Sequence, residues 1–376
     1  MDAFVQPLYE LADFDAIIRQ LKKPGIVQVS GCLDSQKAHF TNGLLREFPF
    51  RLIVAENDLK AKAFYEDFRL YDPEVLYYPA RDLIFYQADI HGNLLTRQRI
   101  QVLRALLERE EVTIVTSIDS CLDCLVPLAV WKEKVIKIRN DSEIDLDRMK
   151  RHLLELGYEW AAQVEVPGQF SIRGGIMDVF SLTEDNPWRI ELWGDEVDSI
   201  RSFDAESQRS IENLEEISIY PACELVLTAE ERQEGIKRIL KEADKVSAKL
   251  RKEMKTEEAH RTKSAAAQIA EEAGELGISA GLDAYLSYFC EERVSLLDYF
   301  NRENTVIFVD ELARSIERGM VTETEFSESM KQRLEKGYIL PGQMDVLYSH
   351  EAVTAEMQRL GCVLVSAMEL RAPGLT

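Results

Sequence analysis

The feature that most constrains this chain is a series of short apolar segments, each followed by a segment whose apolar residues recur at helical spacing. The apolar segments have the length and β-branched content of buried strands. They are residues 25–30 (GIVQVS), 51–55 (RLIVA), 75–78 and 112–116 (VTIVT). Residues 56–68 and 94–107 show the helical spacing. Alternation of this kind predicts a parallel sheet with helices on both faces.

The pattern changes near residue 131. A predicted helix at 146–156 leads into closely spaced strands within 170–180, 188–193 and 197–203, which predict an antiparallel sheet in a small α+β domain. Residues 229–251 are strongly helical and highly charged, and we expect them to form a solvated face, with helices continuing to about residue 300. A strand at 305–309 (TVIFV) then returns to the α/β pattern.

These patterns predict one α/β unit that is split into two halves by an inserted antiparallel α+β domain. A chain of 376 residues is long enough for two or three domains of ordinary size. The predicted boundaries are 1–132 for the first half of the α/β unit and 133–220 for the inserted domain. The second half with its helical segment takes 221–352, and 353–376 is expected to be a linker to further modules.

Composition argues for a protein partner and for a reduced, intracellular environment. Acidic residues outnumber basic ones 67 to 45, giving a formal net charge of −22, so the overall field repels a polyanion such as DNA. No apolar run approaches the roughly 20 residues of a membrane span. The six cysteines are scattered and mostly in apolar surroundings, which is typical of free thiols in the cytoplasm. We therefore expect a cytoplasmic protein that contacts no membrane.

The segment after the first strand resembles a phosphate-binding loop, G-x-x-x-x-G-K-[ST], in which backbone amides bind phosphate and the hydroxyl binds magnesium. Gly31 and Lys37 stand at the correct spacing. Gln36 replaces the second glycine, where a side chain obstructs the approach of phosphate, and Ala38 removes the magnesium ligand. Asp34 adds a negative charge. The loop is predicted to be degenerate, with no catalytic residue, cofactor or metal.

A second segment has the form of a Walker B strand. Residues 306–311 read VIFVDE, where Asp310 would hold magnesium through water and Glu311 would polarise the attacking water. Together with the degenerate loop, this strand indicates a RecA/helicase-like ATPase fold that has lost its chemistry. The alternative is that Gly31 and Lys37 match by chance in an ordinary strand-to-helix turn.

The inserted domain contains the strongest candidate for a binding surface. In the strand 188–193, the residues at 188, 190 and 192 are all apolar and predict a core face, so Arg189, Glu191 and Trp193 are expected to be exposed. A hairpin would bring Arg173 beside Arg189. Tryptophan and arginine dominate binding hot spots. Because residues 133–220 contain 10 basic and 20 acidic residues, these arginines are expected to pair with carboxylates of a protein partner rather than with DNA.

One alternative stays open for these side chains. Arg173 and Arg189 would instead make internal salt bridges, and Trp193 would fill a junction between domains. Gly174 and Gly175 are expected to form a bulge or tight bend. The string at 204–209 (DAESQR) is expected to make local capping and turn bonds.

Two stretches resemble a segment shared by UvrB and the transcription-repair coupling factor family. They are residues 172–180 (IRGGIMDVF) and 191–211 (ELWGDEVDSIRSFDAESQRSI). The resemblance covers essentially the whole chain. The degenerate loop favours the coupling factor, as does the segment 77–97, which looks too short to hold the hairpin that UvrB pushes between DNA strands. The chain therefore resembles the N-terminal, UvrB-homologous part of a coupling factor.

The resemblance implies a function and a set of contact residues. In the coupling factor family the inserted domain recruits UvrA, and the family's UvrA-contacting positions match Arg173, Arg189 and Trp193. It implies that this chain is a non-catalytic docking module in transcription-coupled nucleotide excision repair. RNA polymerase and DNA would be contacted only by modules outside this chain, which include a translocase motor, so the chain would be a piece of a longer protein or an isolated module.

Two rival functions remain. One is an active ATP-dependent DNA-processing enzyme similar to UvrB, and the other is an intramolecular clamp that holds the motor of the full-length protein inactive. The spacing Cys121-x-x-Cys124 is the one metal-like pattern, but no second pair of ligands accompanies it. Those two cysteines are expected to be buried thiols.

Overall fold

The computed structural model describes residues 5–11, 13–22, 25–81, 92–275 and 282–367. The strands of this part of the chain are, in order, β1 (Ile26–Ser30), β2 (Phe50–Ala55), β3 (Leu76–Tyr78), β4 (Val112–Ser117), β5 (Ile136–Arg139), β6 (Glu159–Trp160), β7 (Gln169–Arg173), β8 (Ile176–Val179), β9 (Trp188–Trp193), β10 (Glu196–Phe203), β11 (Ser210–Leu214), β12 (Glu216–Ile219), β13 (Thr305–Asp310) and β14 (Cys362–Ser366). The helices are α1 (Phe14–Leu21), α2 (Asp34–Leu45), α3 (Asp58–Phe68), α4 (Gly92–Glu108), α5 (Ile118–Cys121), α6 (Leu128–Glu133), α7 (Leu146–Glu155), α8 (Ala229–Lys252), α9 (Thr256–Glu275), α10 (Leu286–Phe289), α11 (Leu312–Glu335) and α12 (His350–Leu360).

The first sheet is parallel, with the strand order β1-β14-β13-β2-β4-β3. Its strands are apolar on both faces, as parallel strands covered by helices must be. In β2, Leu52 and Val54 belong to one core cluster, whereas Ile53 belongs to the cluster on the opposite face. The predicted parallel sheet with helices on both faces is confirmed.

The end of the described chain corrects one prediction. Residues 353–376 were expected to be a linker, but this is wrong for residues 353–366, which form most of α12 and all of β14. β14 lies between β1 and β13, so that Cys362 pairs with both Ile26 and Ile307. The reason is the apolar run CVLVS at 362–366, whose residues are all buried in the sheet. Residues 368–376 lie outside the described part.

The second sheet has the order β11-β10-β9-β8-β7-β6 and is antiparallel except where β6 pairs with β7. The predicted strand at 170–180 is in fact two strands, β7 and β8, joined by a turn. Gly174 has a φ of +61°, and a Cβ on Gly175 would lie 2.9 Å from the carbonyl oxygen of Leu192. The two glycines therefore form the tight bend that the sequence predicts.

The helices α8 and α9 pack against each other as a helical hairpin. Thr228 begins α8 with a capping box, in which its side chain accepts from the amide of Glu231 and the Glu231 carboxylate accepts from the amide of Thr228. At Gly235 a Cβ would lie 2.0 Å from the Phe289 ring, so α10 packs closely on α8 there. None of the helices in the described ranges is long and apolar enough to cross a membrane.

Candidate functional site

The residues of the two nucleotide-like segments lie together at the carboxyl ends of β1 and β13. Gly31 follows β1, and Lys37 is in the first turn of α2. Asp310 is the last residue of β13, and Glu311 follows it. The Lys37 Nζ atom is 2.6 Å from Asp310 Oδ1, 3.1 Å from Glu311 Oε1 and 2.9 Å from Asp34 Oδ1. The structure thus brings together residues that are more than 270 positions apart in sequence.

The Lys37 side chain is 3% exposed and fully engaged by carboxylates. Burial alone would lower the pKa of its ammonium group, but hydrogen bonds and charge interactions with Asp310, Asp34 and Glu311 raise the pKa above its ordinary value. An ammonium group has three N–H donors, and here three carboxylates lie within reach. The lysine therefore acts as a buried counter-ion within the protein.

The backbone of segment 31–38 is also engaged internally. The amides of Gly31 and Cys32 donate to the carbonyl oxygen of Ser366, at 2.9 and 3.3 Å. The side-chain oxygen of Gln36 accepts from the amide of Leu33 at 3.3 Å. Ala38 is buried in the core cluster beneath α2 and offers no hydroxyl. In a working phosphate loop such amides would face phosphate oxygens.

Glu311 connects this cluster to the end of β14. It has a φ of +50°, a left-handed conformation that costs a non-glycine residue on the order of 1–3 kcal/mol. Its carboxylate accepts from the amide of Ala367 at 2.8 Å and also contacts Lys37. The strained backbone is thus held in place by bonds to two other segments.

The second candidate surface is the face of the inserted sheet that contains Arg173, Arg189 and Trp193. The predicted alternation along β9 is confirmed, because Trp188 and Ile190 are buried and the opposite positions are more exposed. Trp193, at the end of β9, is 83% exposed. Such a large exposed aromatic side chain on a rigid strand is a feature of binding surfaces.

Arg173 and Arg189 meet on a single carboxylate, that of Asp178 in β8. Arg189 makes a bidentate pair with it, with N–O distances of 2.7 and 2.8 Å, and Arg173 Nη2 lies 2.9 Å from Oδ2. The hydrogen bond to Asp178 raises the pKa of Arg189 above its ordinary value. The side chain of Asp178 is 1% exposed, Arg189 is 16% exposed and Arg173 is 50% exposed.

The expectation that this whole face is exposed is therefore wrong for Arg189. Its guanidinium group lies 4.4 Å from the centre of the Phe203 ring and donates to the side-chain oxygen of Gln208 at 3.0 Å. The alternative interpretation is correct on one point, because both arginines make internal salt bridges with Asp178. The placement of Trp193 in a domain junction is wrong, because its side chain is exposed.

Three partners of Arg189 were not singled out from the sequence: Asp178, Phe203 and Gln208. The register pairs Asp178 with Arg189, so strand alternation applied to β8 would have placed that carboxylate on the same face. The segment 204–209 makes the predicted turn bonds, in which the amide of Ser207 donates to Asp204 Oδ1 at 2.7 Å. Its Gln208 has the further role of contacting Arg189.

Further charged residues lie on the same face. Arg201 in β10 forms an ion pair with Glu191 in β9. The described ion pairs of this face thus join three arginines to two carboxylates, Asp178 and Glu191. Glu196 of β10 is exposed and pairs with Trp193 in the strand register, so three arginines and three carboxylates share this face and their charges balance.

A buried ionic network joins the parallel sheet to the end of the inserted domain. Arg99 in α4 donates to Glu224 at 2.6 Å, to Asp123 at 3.0 Å and to the carbonyl oxygen of Pro79 at 2.7 Å. Burial alone would raise the pKa of Glu224, but Arg81 and Arg99 outweigh it and lower the pKa to about 2. Sequence patterns gave no signal for this network, whose place between elements indicates a structural role.

Cys121 and Cys124 are both buried, as expected. Burial raises the pKa of Cys124 to about 12 and raises that of Cys121 further, so both thiols are protonated at neutral pH. Among the residues that the structure describes, His, Cys, Asp and Glu form no group of three or more that is able to hold a metal ion. The middle of the segment 77–97, which was compared with the UvrB hairpin, is residues 82–91 and lies outside the described residues.

Comparison with known proteins defines the class to which this architecture belongs. Residues 136–225, which contain the whole antiparallel sheet, match the UvrB interaction domain family. The chain is therefore a protein with a UvrB interaction domain inserted between strands of a parallel α/β sheet. Over almost its whole length it is related to the transcription-repair coupling factor, as the resemblance in sequence predicted.

Three relatives illustrate this relationship. The transcription-repair-coupling factor of Bacillus subtilis is 34% identical over 96% of this chain, and that of Staphylococcus haemolyticus is 30% identical over 86%. The UvrABC system protein B of Thermosipho africanus is 32% identical over 70% of the chain. The chain spans only 30%, 27% and 40% of the lengths of these three relatives, respectively.

Proposed function

We propose that this chain is a docking module that binds UvrA and has no catalytic activity of its own. In this proposal it recruits UvrA to stalled RNA polymerase during transcription-coupled nucleotide excision repair. The observation that carries the proposal is the exposed Trp193 on the UvrB interaction domain, on the same sheet face as the arginines that converge on Asp178. Modules outside this chain would contact RNA polymerase.

The geometry supports docking through a preorganised surface. Asp178 fixes the orientation of Arg189, which reduces the side-chain entropy that binding would otherwise cost. Arg173 uses one guanidinium nitrogen on Asp178 and stays half exposed, so its other donors can reach a partner carboxylate. Trp193 adds a large apolar area at low entropy cost. An acidic patch with a pocket for an indole ring is the partner surface that fits.

The state of segment 31–38 supports the absence of catalysis. Its lysine is engaged by Asp310 and Glu311, and two of its amides donate to Ser366. A nucleotide phosphate would have to displace these bonds and would meet the carboxylate of Asp34. A calorimetric titration with Mg-ATP is expected to show no binding, and a micromolar affinity would favour a UvrB-like enzyme instead.

Calorimetric titration with purified UvrA tests the docking surface. Trp193→Ala is expected to weaken binding by about 30-fold, the effect of losing a hot spot of ~2 kcal/mol, and Arg173→Ala by about tenfold. Arg189→Lys retains the positive charge but cannot form the bidentate pair with Asp178. This variant therefore tests whether the fixed orientation of the side chain contributes to UvrA binding apart from its charge.

The matched control is Trp160→Ala. Trp160 is a half-exposed tryptophan on the edge strand β6, which two strands separate from β9, so its removal should leave UvrA binding unchanged. Undiminished binding by the double variant Trp193→Ala/Arg173→Ala would exclude the assigned surface. Equal losses in the Trp193 and Trp160 variants would show that the effect is not specific to this face.

A further inference from the structure

Helix α8 has a charge opposite to that of the chain as a whole. Between residues 237 and 252 it contains seven basic and two acidic residues, although the complete chain has a net charge of −22. The two acidic residues are already engaged. Glu242 accepts a hydrogen bond from the Tyr288 hydroxyl, and Asp244 forms an ion pair with Lys263 of α9 at 2.6 Å. Lys237 and Arg238 also form ion pairs, with Glu234 and Glu291, so the uncompensated positive charge lies between residues 241 and 252.

Four of these lysines form a stripe along one face of α8. They are separated by four, four and three residues, which places them on neighbouring turns of the same face. The lysine stripe consists of Lys241, Lys245, Lys249 and Lys252. All four side chains are exposed, and within the described residues none of them has an ion-pair partner.

The fold does not require this stripe. The opposite face of α8 is buried by apolar contacts, since Ile239 and Ala243 pack with Ala266 of α9 in one core cluster. Like charges one turn apart destabilise a helix by roughly 0.2–0.5 kcal/mol per pair, so the stripe costs stability in the isolated chain. A row of unpaired lysines on a rigid helix in an acid-rich protein therefore points to a ligand that supplies the negative charge.

We propose that the lysine stripe binds the phosphate backbone of duplex DNA without reading its sequence. The stripe extends over about 16 Å, from the helical rise of ~1.5 Å per residue. Duplex DNA carries about one negative charge per 1.7 Å of its axis, so several phosphates face a stripe of this length. Lysine is a flexible point charge that suits phosphate without requiring a fixed geometry.

An acidic protein is the less suitable partner. Protein interfaces have apolar centres and are depleted in lysine, and the only residue on the stripe between Lys245 and Lys252 besides lysine is the small Ala248. The proposal departs from the expectation that DNA contacts only modules outside this chain. That expectation rested on the net charge, which does not describe a local surface. The proposal is independent of the UvrA-docking surface.

Fluorescence anisotropy of the whole chain with a labelled duplex of about 30 base pairs tests the proposal, at salt concentrations from ~50 to ~200 mM. The test variant replaces the stripe with glutamine: K241Q/K245Q/K249Q/K252Q. The control removes the same charge from exposed lysines elsewhere: K62Q/K132Q/K137Q/K150Q. The test variant should bind at least tenfold more weakly at ~50 mM salt and lose about three units from the salt slope, whereas the control should lose less than one.

A variant with arginine at all four positions retains the charge and should retain DNA binding. It therefore shows whether weaker binding by the test variant comes from the lost charge or from misfolding. Absence of binding by the unmodified chain at ~50 mM salt would overturn the proposal. Equal losses in the test and control variants would do the same, since binding would then follow net charge alone. Displacement of the labelled duplex by polyglutamate as efficiently as by unlabelled duplex would assign the stripe to an acidic protein and also overturn the proposal.

Discussion

Lys37 is expected to stabilise the fold, so its replacement by methionine should lower the free energy of unfolding. Methionine preserves most of the packing of the side-chain stem but removes the ammonium group that lies 2.6 Å from Asp310 and 3.1 Å from Glu311. These two carboxylate side chains are only 11% and 12% exposed. Removing one partner of a buried ion pair costs about 3–5 kcal/mol, because the remaining charge is left uncompensated. We expect Lys37→Met to cost that amount.

Urea unfolding followed by far-UV circular dichroism measures the loss, and hydrogen exchange in peptides from α2 and β13 locates it. The matched control is Lys22→Met. Lys22 pairs with Glu47 at 2.8 Å, but the Lys22 side chain is 56% exposed and the Glu47 side chain is 42% exposed. An exposed pair contributes at most about 1 kcal/mol. Adding Asp310→Asn and Glu311→Gln to Lys37→Met should restore most of the lost stability, since no buried charge then remains unpaired.

A cost below about 1 kcal/mol for Lys37→Met would refute this reasoning, because it would equal the value of an exposed pair. Failure of the two amide substitutions to restore stability would refute it as well. Either result would mean that the two carboxylates are compensated without the lysine, by water, by a bound ion or by protonation of Asp310, whose pKa is raised by burial.

Three further predictions follow from burial and close contact. The carboxylate of Glu224 has a pKa of about 2 in the folded protein and about 4.3 when unfolded, so it contributes ~3 kcal/mol of stability that is present above pH ~4.3 and lost as the pH falls towards 2. Glu224→Gln should flatten that part of the pH dependence in urea unfolding, and parallel curves for variant and unmodified chain would contradict this. Gly235→Ala should lower stability by about 1–3 kcal/mol because its Cβ would overlap the Phe289 ring. At Gly274 an added Cβ meets no atom within 4 Å, so Gly274→Ala should raise stability by up to ~1 kcal/mol. Equal effects of the two variants on the thermal midpoint would show that α10 moves to make room for the Cβ at position 235. Trp193→Ala should change stability by less than ~0.5 kcal/mol because the side chain is exposed, and a larger loss in urea unfolding would give Trp193 a structural role.

Most of the parallel sheet is predictable from the sequence because its strands are continuous apolar runs with helices between them. The exception is β14. Its five residues, CVLVS, form a short apolar run, and their position in the sheet depends on pairing with Ile26 and Ile307, which are distant in the chain. Local pattern does not contain this information. The predicted linker 353–376 therefore includes residues that form β14.

In the inserted sheet, local pattern likewise predicts where a side chain lies but not which side chains it contacts. Alternation along β9 was sufficient to place Trp193 on the outer face. It did not reveal that Arg173 and Arg189 share Asp178, because that contact depends on the register of three strands. The register follows from the turn at Gly174 and Gly175 and from the pairing of Asp178 with Arg189. The lysine stripe was likewise visible as a charged run, but its lack of acidic partners is a property of the folded surface.

The position of β14 has a consequence for how the protein is made. In the sheet β1 pairs with β14, and the paired residues Ile26 and Cys362 are 336 positions apart. At a synthesis rate of roughly 5–20 residues per second, β1 waits about 20–70 s for that partner to emerge from the ribosome. The inserted domain and the helical hairpin are complete before then, so the parallel sheet closes last. Until it closes, β1 lacks its neighbouring strand, because in the described sheet β1 pairs with β14.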